Sequence, residues 1–145
     1  MAENRSSDTA SSAKGASGKQ SKSQGENTAS RRNIKSWLTD MDGVLVHENK
    51  AIPGAAELIN QWREREIPFL VLTNNSIYTP RDLSARLQHS GIEVPEESIW
   101  TSALATAAFL RDQAPGSSAF VVGEAGLLTA IHEAGFIMTD TKPDY

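Results

Sequence analysis

Two aspartates two residues apart, Asp40 and Asp42, stand in the segment Leu38-Thr39-Asp40-Met41-Asp42-Gly43-Val44. Carboxylates at i and i+2 just past a strand can project toward the same side, so one can attack an electrophile while the other moves protons. Gly43 permits the tight backbone turn that must follow them. Like charges a few ångströms apart raise one pKa unless a cation sits between them. Magnesium suits such a pair: it prefers hard oxygen ligands, keeps several waters, and is usually held by one or two carboxylates together with substrate phosphate. The pattern therefore predicts Mg2+ and a phosphorylated substrate. A second polar cluster, Thr73-Asn74-Asn75-Ser76, follows the apolar run Phe69-Leu70-Val71-Leu72. Thr73 and Asn74 would give neutral donors to phosphoryl oxygens without cancelling the charge of the metal.

Blander readings of the same residues are weaker. Asp-x-Asp-Gly also begins a calcium loop, but that pattern wants Asp or Asn where Val44 stands, and flanking helices. His47, His89 and His132 share no metal-ligand spacing, and the absence of cysteine removes disulfides and thiolate metal sites. Val122-Gly123-Glu124-Ala125-Gly126 lacks the third glycine of a dinucleotide fingerprint and the Gly-Lys-Ser/Thr of a P-loop, so it reads as a strand-to-helix turn. Trp37, Trp62 and Trp100 lie in or beside apolar runs and are expected in the core.

The elements that must position these residues follow an alternating α/β pattern from Ile34 onward. In open sheets of this kind, ligands bind outside the carboxyl ends of the strands, where both polar clusters fall. Strands are predicted at 36–39, at 69–72 with both faces covered, at 98–100 and at 119–122, with 44–47 extended. A helix opens at Pro53-Gly54 and runs to about Arg65 with Leu58, Ile59 and Trp62 on one face. Thr79-Pro80-Arg81-Asp82 reads as an N-cap, a proline at the first helical position and an acid three residues after the cap; Leu83 and Leu87 face inward and Gly91 ends the helix. Two further helices are expected at about 104–113 and 127–134, the second stopped by Gly135. The fold class is α/β, a Rossmann-like parallel sheet with helices on both faces.

Composition divides the 145 residues near position 34. Between Ala2 and Asn33 there is no Val, Ile, Leu, Phe, Trp or Tyr, so residues 1–33 are expected to form a disordered polar tail, with 34–145 as the folding part. The tail has six basic residues against three acids, while the whole chain is at −4. Its charges are scattered and lack interleaved aromatics, so no nucleic-acid partner is expected. No apolar run approaches a membrane span, and the tail has neither the apolar core of a secretory signal nor the acid-free amphipathic helix of a mitochondrial one. A cytoplasmic protein without a membrane partner is the expectation.

Taken together, Asp40-Met41-Asp42-Gly43-Val44, Pro53-Gly54-Ala55, Leu72-Thr73-Asn74-Asn75-Ser76, Thr101-Ser102-Ala103 and Val122-Gly123-Glu124-Ala125-Gly126-Leu127 resemble the haloacid dehalogenase superfamily. Within it they resemble the sugar-phosphatase-like branch with a large inserted cap, which includes nucleotide, phosphoglycolate and 4-nitrophenyl phosphatases. The resemblance covers about 35–145. It implies a Mg2+-dependent phosphomonoester hydrolase acting on a small phosphorylated metabolite. Asp40 would be the nucleophile that forms an aspartyl-phosphate and also binds the metal. Asp42 would be the general acid and then the base, its backbone carbonyl a metal ligand. Thr73 and Asn74 would orient the phosphoryl group, with Asn75 and Ser76 shaping the loop or lying beside the substrate. The resemblance is also compatible with a homo-oligomer of the full-length protein.

The family's later lysine and its distal acidic metal segment have no counterpart here, and Lys142 is misplaced for that lysine. Pro143-Asp144-Tyr145 resembles the start of the first cap strand, so the expectation is the N-terminal part of a longer enzyme. A catalytically incompetent fragment, or a module that binds a phosphate-bearing ligand or a partner, stays open beside the enzyme. Dehalogenation by the same nucleophile is disfavoured because Asp42 supplies the acid/base function that phosphoryl transfer needs.

Overall fold

The structure is a computed structural model and is described here for residues 34–145; the tail expected over 1–33 lies outside the described residues. The chain opens with β1 (Trp37–Asp40), then a small antiparallel hairpin of β2 (Val46–His47) and β3 (Lys50–Ala51). There follow α1 (Ala55–Glu64), β4 (Phe69–Thr73), α2 (Pro80–His89), a 3-10 turn (Glu96–Ser98), β5 (Ile99–Thr101) and α3 (Ser102–Gln113). The last elements are β6 (Ser118–Ala119), α4 (Ala125–Glu133) and β7 (Ile137–Met138).

β1, β4 and β5 form a parallel sheet in the order β1-β4-β5, with Thr39 opposite Val71 and Val71 opposite Ile99. Because side chains alternate, Val71 and Ile99 share one face, and there they meet Ile59 and Trp62 of α1 and Leu83 and Leu87 of α2 in a buried apolar cluster. The other face carries Leu38, Leu70, Leu72 and Trp100, with Asp40 at its C-terminal edge. A second buried cluster joins Ala103 and Ala107 of α3 to Ala130 and Ile131 of α4, with Ala119 and Phe136.

Local signals account for α2 in full. Thr79 accepts the Asp82 N–H at 3.2 Å while the Asp82 carboxylate accepts the Thr79 N–H at 3.1 Å, a reciprocal capping box behind Pro80. The β2–β3 turn places Glu48 and Asn49 at φ 48° and 61°, the left-handed pair that a two-residue hairpin with native twist requires. None of the helices among the described residues is long and apolar enough to cross a membrane.

Several expectations are corrected. β1 and β5 each begin and end one residue later than predicted, which makes Asp40 the last residue of its strand. Only Val46–His47 of 44–47 is strand, because the Leu45 and Val46 N–H groups both turn back to the Met41 carbonyl. Leu58 is exposed; Ala55, Ile59 and Trp62, at helical spacing, take the buried face. β4 is not covered equally on both faces: Val71 and Thr73 are buried while Leu70 and Leu72 are half-buried.

Trp62 is core, but Trp37 and Trp100 are 40% and 42% exposed. Trp37 lies on an edge strand of the described sheet and is covered by a parallel stack on Trp62, centroids 5.6 Å apart, whereas Trp100 lies on the less covered face. The strand predicted at 119–122 shrinks to Ser118–Ala119, which pairs with β7 in a separate two-stranded sheet. Beyond it the Phe120 N–H goes to the Tyr145 carbonyl, and Phe120 and Val122 are exposed. β7 (Ile137–Met138) is a strand that the sequence does not predict.

Candidate active site

Parallel pairing sets the C-terminal ends of β1 and β4 side by side, with Asp40 opposite Leu72. Asp40 is exposed there, and its Oδ1 accepts the Met41 N–H at 2.8 Å, an amide shared with the Leu72 carbonyl at 3.1 Å. The carboxylate is thus steered by the backbone of its own turn, leaving Oδ2 for other partners. At Gly43, φ is 81° and the N–H closes onto the Val46 carbonyl at 2.8 Å, folding the chain back after Asp42 into the hairpin.

Thr73 is buried at the end of β4 and its hydroxyl works in two directions. It donates to Asp42 Oδ2 at 3.3 Å and accepts the Asn75 N–H at 3.1 Å, tying the two strand-end loops together. The Asn74 carbonyl accepts from the Ser102 hydroxyl at 2.9 Å, which fastens the same loop to the start of α3. Asn75 Oδ1 accepts the Ile77 and Tyr78 N–H groups, both at 3.0 Å, an Asx-type turn that leaves its amide nitrogen as the free polar end.

Of the residues singled out in sequence, Asp40, Thr73 and Asn74 line one solvent-open groove, together with Leu38, Trp100 and Ser102. Asp42 and Asn75 line a smaller adjoining pocket under the hairpin, beside Asn49 and Arg86. The Thr73–Asp42 hydrogen bond is the link between the two. Arg86 reaches Asn49 Oδ1 at 2.7 Å and lies 4.3 Å from the centre of the Tyr78 ring, so the hairpin is latched to α2 at the back of that pocket.

The N-terminus of α3 borders the groove through Thr101 and Ser102, with Thr101 accepting the Leu104 N–H at 3.1 Å as its cap. The positive end of the helix dipole therefore faces the side where an anion would sit. Among the described residues no group of three or more His, Cys, Asp or Glu side chains comes together that could hold a metal. What the site offers is two exposed carboxylates amid hydroxyl and amide groups, an oxygen-only donor set. That chemistry fits magnesium keeping most of its waters, and not a metal that needs thiolate or imidazole.

Sequence reasoning had assigned no role to Ser102, to Arg86 or to Gly126, whose N–H donates to the Ile77 carbonyl at 2.8 Å. Ser102 had a signal in the Thr101-Ser102-Ala103 segment at a strand end; Arg86, on an exposed helix face, had none.

The sequence resembles known proteins over the region that holds this site. It is 56% identical over 110 residues to the dihydroxyacetone phosphatase of Corynebacterium glutamicum (strain R), covering 76% of this chain and 40% of the relative. It is 45% identical over 112 residues to the ribonucleotide monophosphatase NagD of Escherichia coli (strain K12), covering 77% and 44%. The solved structure of NagD from E. coli K-12 superposes with a TM-score of 0.73 over 77% of this chain and 44% of that one. A putative p-nitrophenyl phosphatase from Bacillus subtilis does so at 0.70, with 32% identity over 77% and 43%. The chain thus spans less than half the length of the relatives it matches. The sequence model described as haloacid dehalogenase-like hydrolase matches residues 37–137, and with Asp40 and Thr73 at neighbouring strand ends inside that match, the chain belongs to the haloacid dehalogenase-like hydrolases.

Proposed function

We propose that the protein of which this chain forms part hydrolyses a small phosphomonoester with the help of Mg2+, through a phosphorylated Asp40. The observation that carries the reading is the shared groove of Asp40, Thr73 and Asn74 at the C-terminal ends of β1 and β4, bordered by the N-terminus of α3. Relatives named dihydroxyacetone phosphatase, ribonucleotide monophosphatase and acid sugar phosphatase support a small phosphorylated metabolite as substrate.

In this mechanism a carboxylate oxygen of Asp40 forms a bond to phosphorus as the ester P–O bond breaks. Asp42, protonated at that moment, gives its proton to the leaving alkoxide oxygen, so the alcohol departs neutral. The Asp42 carboxylate then takes a proton from water, whose oxygen attacks the same phosphorus. The acyl phosphate bond breaks, and Asp40 and inorganic phosphate are released. Thr73 keeps Asp42 oriented through its hydroxyl, and Asn74, together with the α3 N-terminus, faces the phosphoryl oxygens. Asp40 and Asp42 would hold the magnesium ion, whose charge would neutralise the phosphoryl oxygens.

The test is phosphate release from 4-nitrophenyl phosphate in magnesium buffer by the whole protein. Asp40→Asn is expected to lower turnover by about 10³-fold or more, since a nucleophile cannot be replaced by its neighbours. Retained turnover would remove Asp40 from the role. Halide release from a haloacid, with no phosphate release, would replace phosphoryl transfer by dehalogenation.

A further inference from the structure

We infer that Gly126, far from the groove in sequence, is a positioning residue for the site: it sets where the Thr73–Tyr78 loop lies. Gly126 is buried in the first turn of α4. A Cβ built there would fall 2.5 Å from the Tyr78 carbonyl oxygen and 2.7 Å from that of Ser76. Both are backbone atoms, so no side-chain rotation relieves the overlap. The Gly126 N–H donates to the carbonyl of Ile77, between those two, at 2.8 Å. The helix thus presses its bare backbone against three consecutive carbonyls of the loop. At the other glycines of the described residues a Cβ meets open space or, at Gly123, only the Leu127 side chain at 2.9 Å.

The loop passes that contact on to the site. Asn75 Oδ1 grips the N–H groups of Ile77 and Tyr78, so residues 75–78 move as one piece. The Asn75 N–H is held by the Thr73 hydroxyl, and that hydroxyl donates to Asp42. Ile77 and Tyr78 are exposed, whereas α4 is anchored in its apolar cluster by Ala130 and Ile131. A methyl group at position 126 therefore displaces the softer partner, the loop, and with it Asn75, Thr73 and the orientation of Asp42. The inference deepens the proposed function and rests on it for its catalytic readout.

The experiment compares Gly126→Ala with Gly123→Ala by amide chemical shifts and hydrogen exchange, and by kcat and KM for 4-nitrophenyl phosphate with Mg2+. Gly126→Ala is expected to move the amides of 75–78 and to lower kcat on the order of tenfold to a hundredfold with a smaller change in KM, the cost of misplacing a preorganised group. Gly123→Ala should leave both in place. If the Gly126→Ala loop amides stay in place, or if only thermal stability falls while kcat holds, the inference is overturned. Should that variant not fold, the coupling is read from the other end. Asn75→Ala frees the Ile77 and Tyr78 amides and should speed exchange of the Gly126 amide by about tenfold, the factor expected for a lost hydrogen-bonded turn; unchanged protection overturns the inference. An unsubstituted protein that shows no turnover counts against the proposed function alone, and the amide measurements then decide the role of Gly126.

Discussion

The two apolar clusters of residues 34–145 are built from different materials. Between α1, α2 and the sheet the buried side chains are large and mostly branched: Leu45, Ile59, Val71, Leu83, Leu87, Ile92 and Ile99. Around α3 and α4 the buried side chains are mostly alanines, Ala103, Ala107, Ala119 and Ala130, with Ile131 and Phe136, and half-buried Leu104, Leu110 and Leu127 pack against them. Large residues fix strand and helix positions by filling space, while alanines let two helix backbones approach closely. Asp40 and Thr73 hang on the first cluster through β1 and β4. The helices of the second cluster meet the candidate site along the groove at Ser102, Ala105 and Thr106, and bond to its loop through the Ser102 hydroxyl and the bare backbone of Gly126. A packed core carries the site from below, and a thin set of polar and backbone contacts trims it from the side.

Breaking the first cluster should have the largest effect. Ile59→Ala empties a fully buried position and is expected to cost about 2–5 kcal/mol, read from urea unfolding of the protein. The second cluster should fail in the opposite sense, by crowding. Ala107→Leu puts three extra carbons between α3 and α4 and is expected to cost about 1–3 kcal/mol in the same measurement. If both substitutions lower one shared transition, the clusters act as one cooperative unit; separate transitions would show that the contrast in packing is also a division in stability.

The smallest effect is on acid sensitivity, with one carboxylate in each region. Hydrogen bonds from the Thr79 hydroxyl and then its N–H hold Asp82 below its ordinary value of 3.8. The Ser118 N–H and then its hydroxyl do the same for Asp144, bonded at 2.8 and 2.7 Å. Because the folded state favours the ionised form, this stabilisation is present above pH 3.8 and disappears as pH falls through the depressed folded values. Asp82→Asn should flatten that loss at the amides of α2, and Asp144→Asn at those of β6, in hydrogen exchange across the acid range. A change of equal size in both regions from either substitution would erase the distinction between them.

The first cluster was largely legible in the sequence; of the second, the two helices were, each beginning two residues earlier than expected, but the pairing of β6 with β7 was not. α2 announces itself locally, since Thr79, Pro80 and Asp82 act within a few residues and Leu83 and Leu87 repeat at helical spacing. β6 and β7 are two residues each, too short to show alternation, and they exist because they find each other across α4. The exposure of Trp37 and Trp100 depends on what covers each sheet face, which residue type does not reveal. That Asp40 and Thr73 would lie at strand ends could be read from apolar runs closing on polar clusters. The division of the site between a groove, with Asp40, Thr73 and Asn74, and an adjoining pocket, with Asp42 and Asn75, could not, because it depends on how the hairpin folds back over α2. Gly126 passed for an ordinary turn glycine, since the loop it meets lies far earlier in the chain.

The parallel pairing of β1 with β4 also has a kinetic consequence. Parallel neighbours cannot be closed by a tight turn, so the hairpin and the whole of α1 must be threaded before Asp40 meets its opposite number, Leu72. Contacts of such long sequence separation form after local ones, because the loop-closure entropy comes due before the contact is made. Asp40 is made before Thr73 and Asn74, yet they reach it only once the sheet has zipped. A folding intermediate with α1 and α2 in place would still lack the groove, so recovery of groove function should lag recovery of helical signal during refolding.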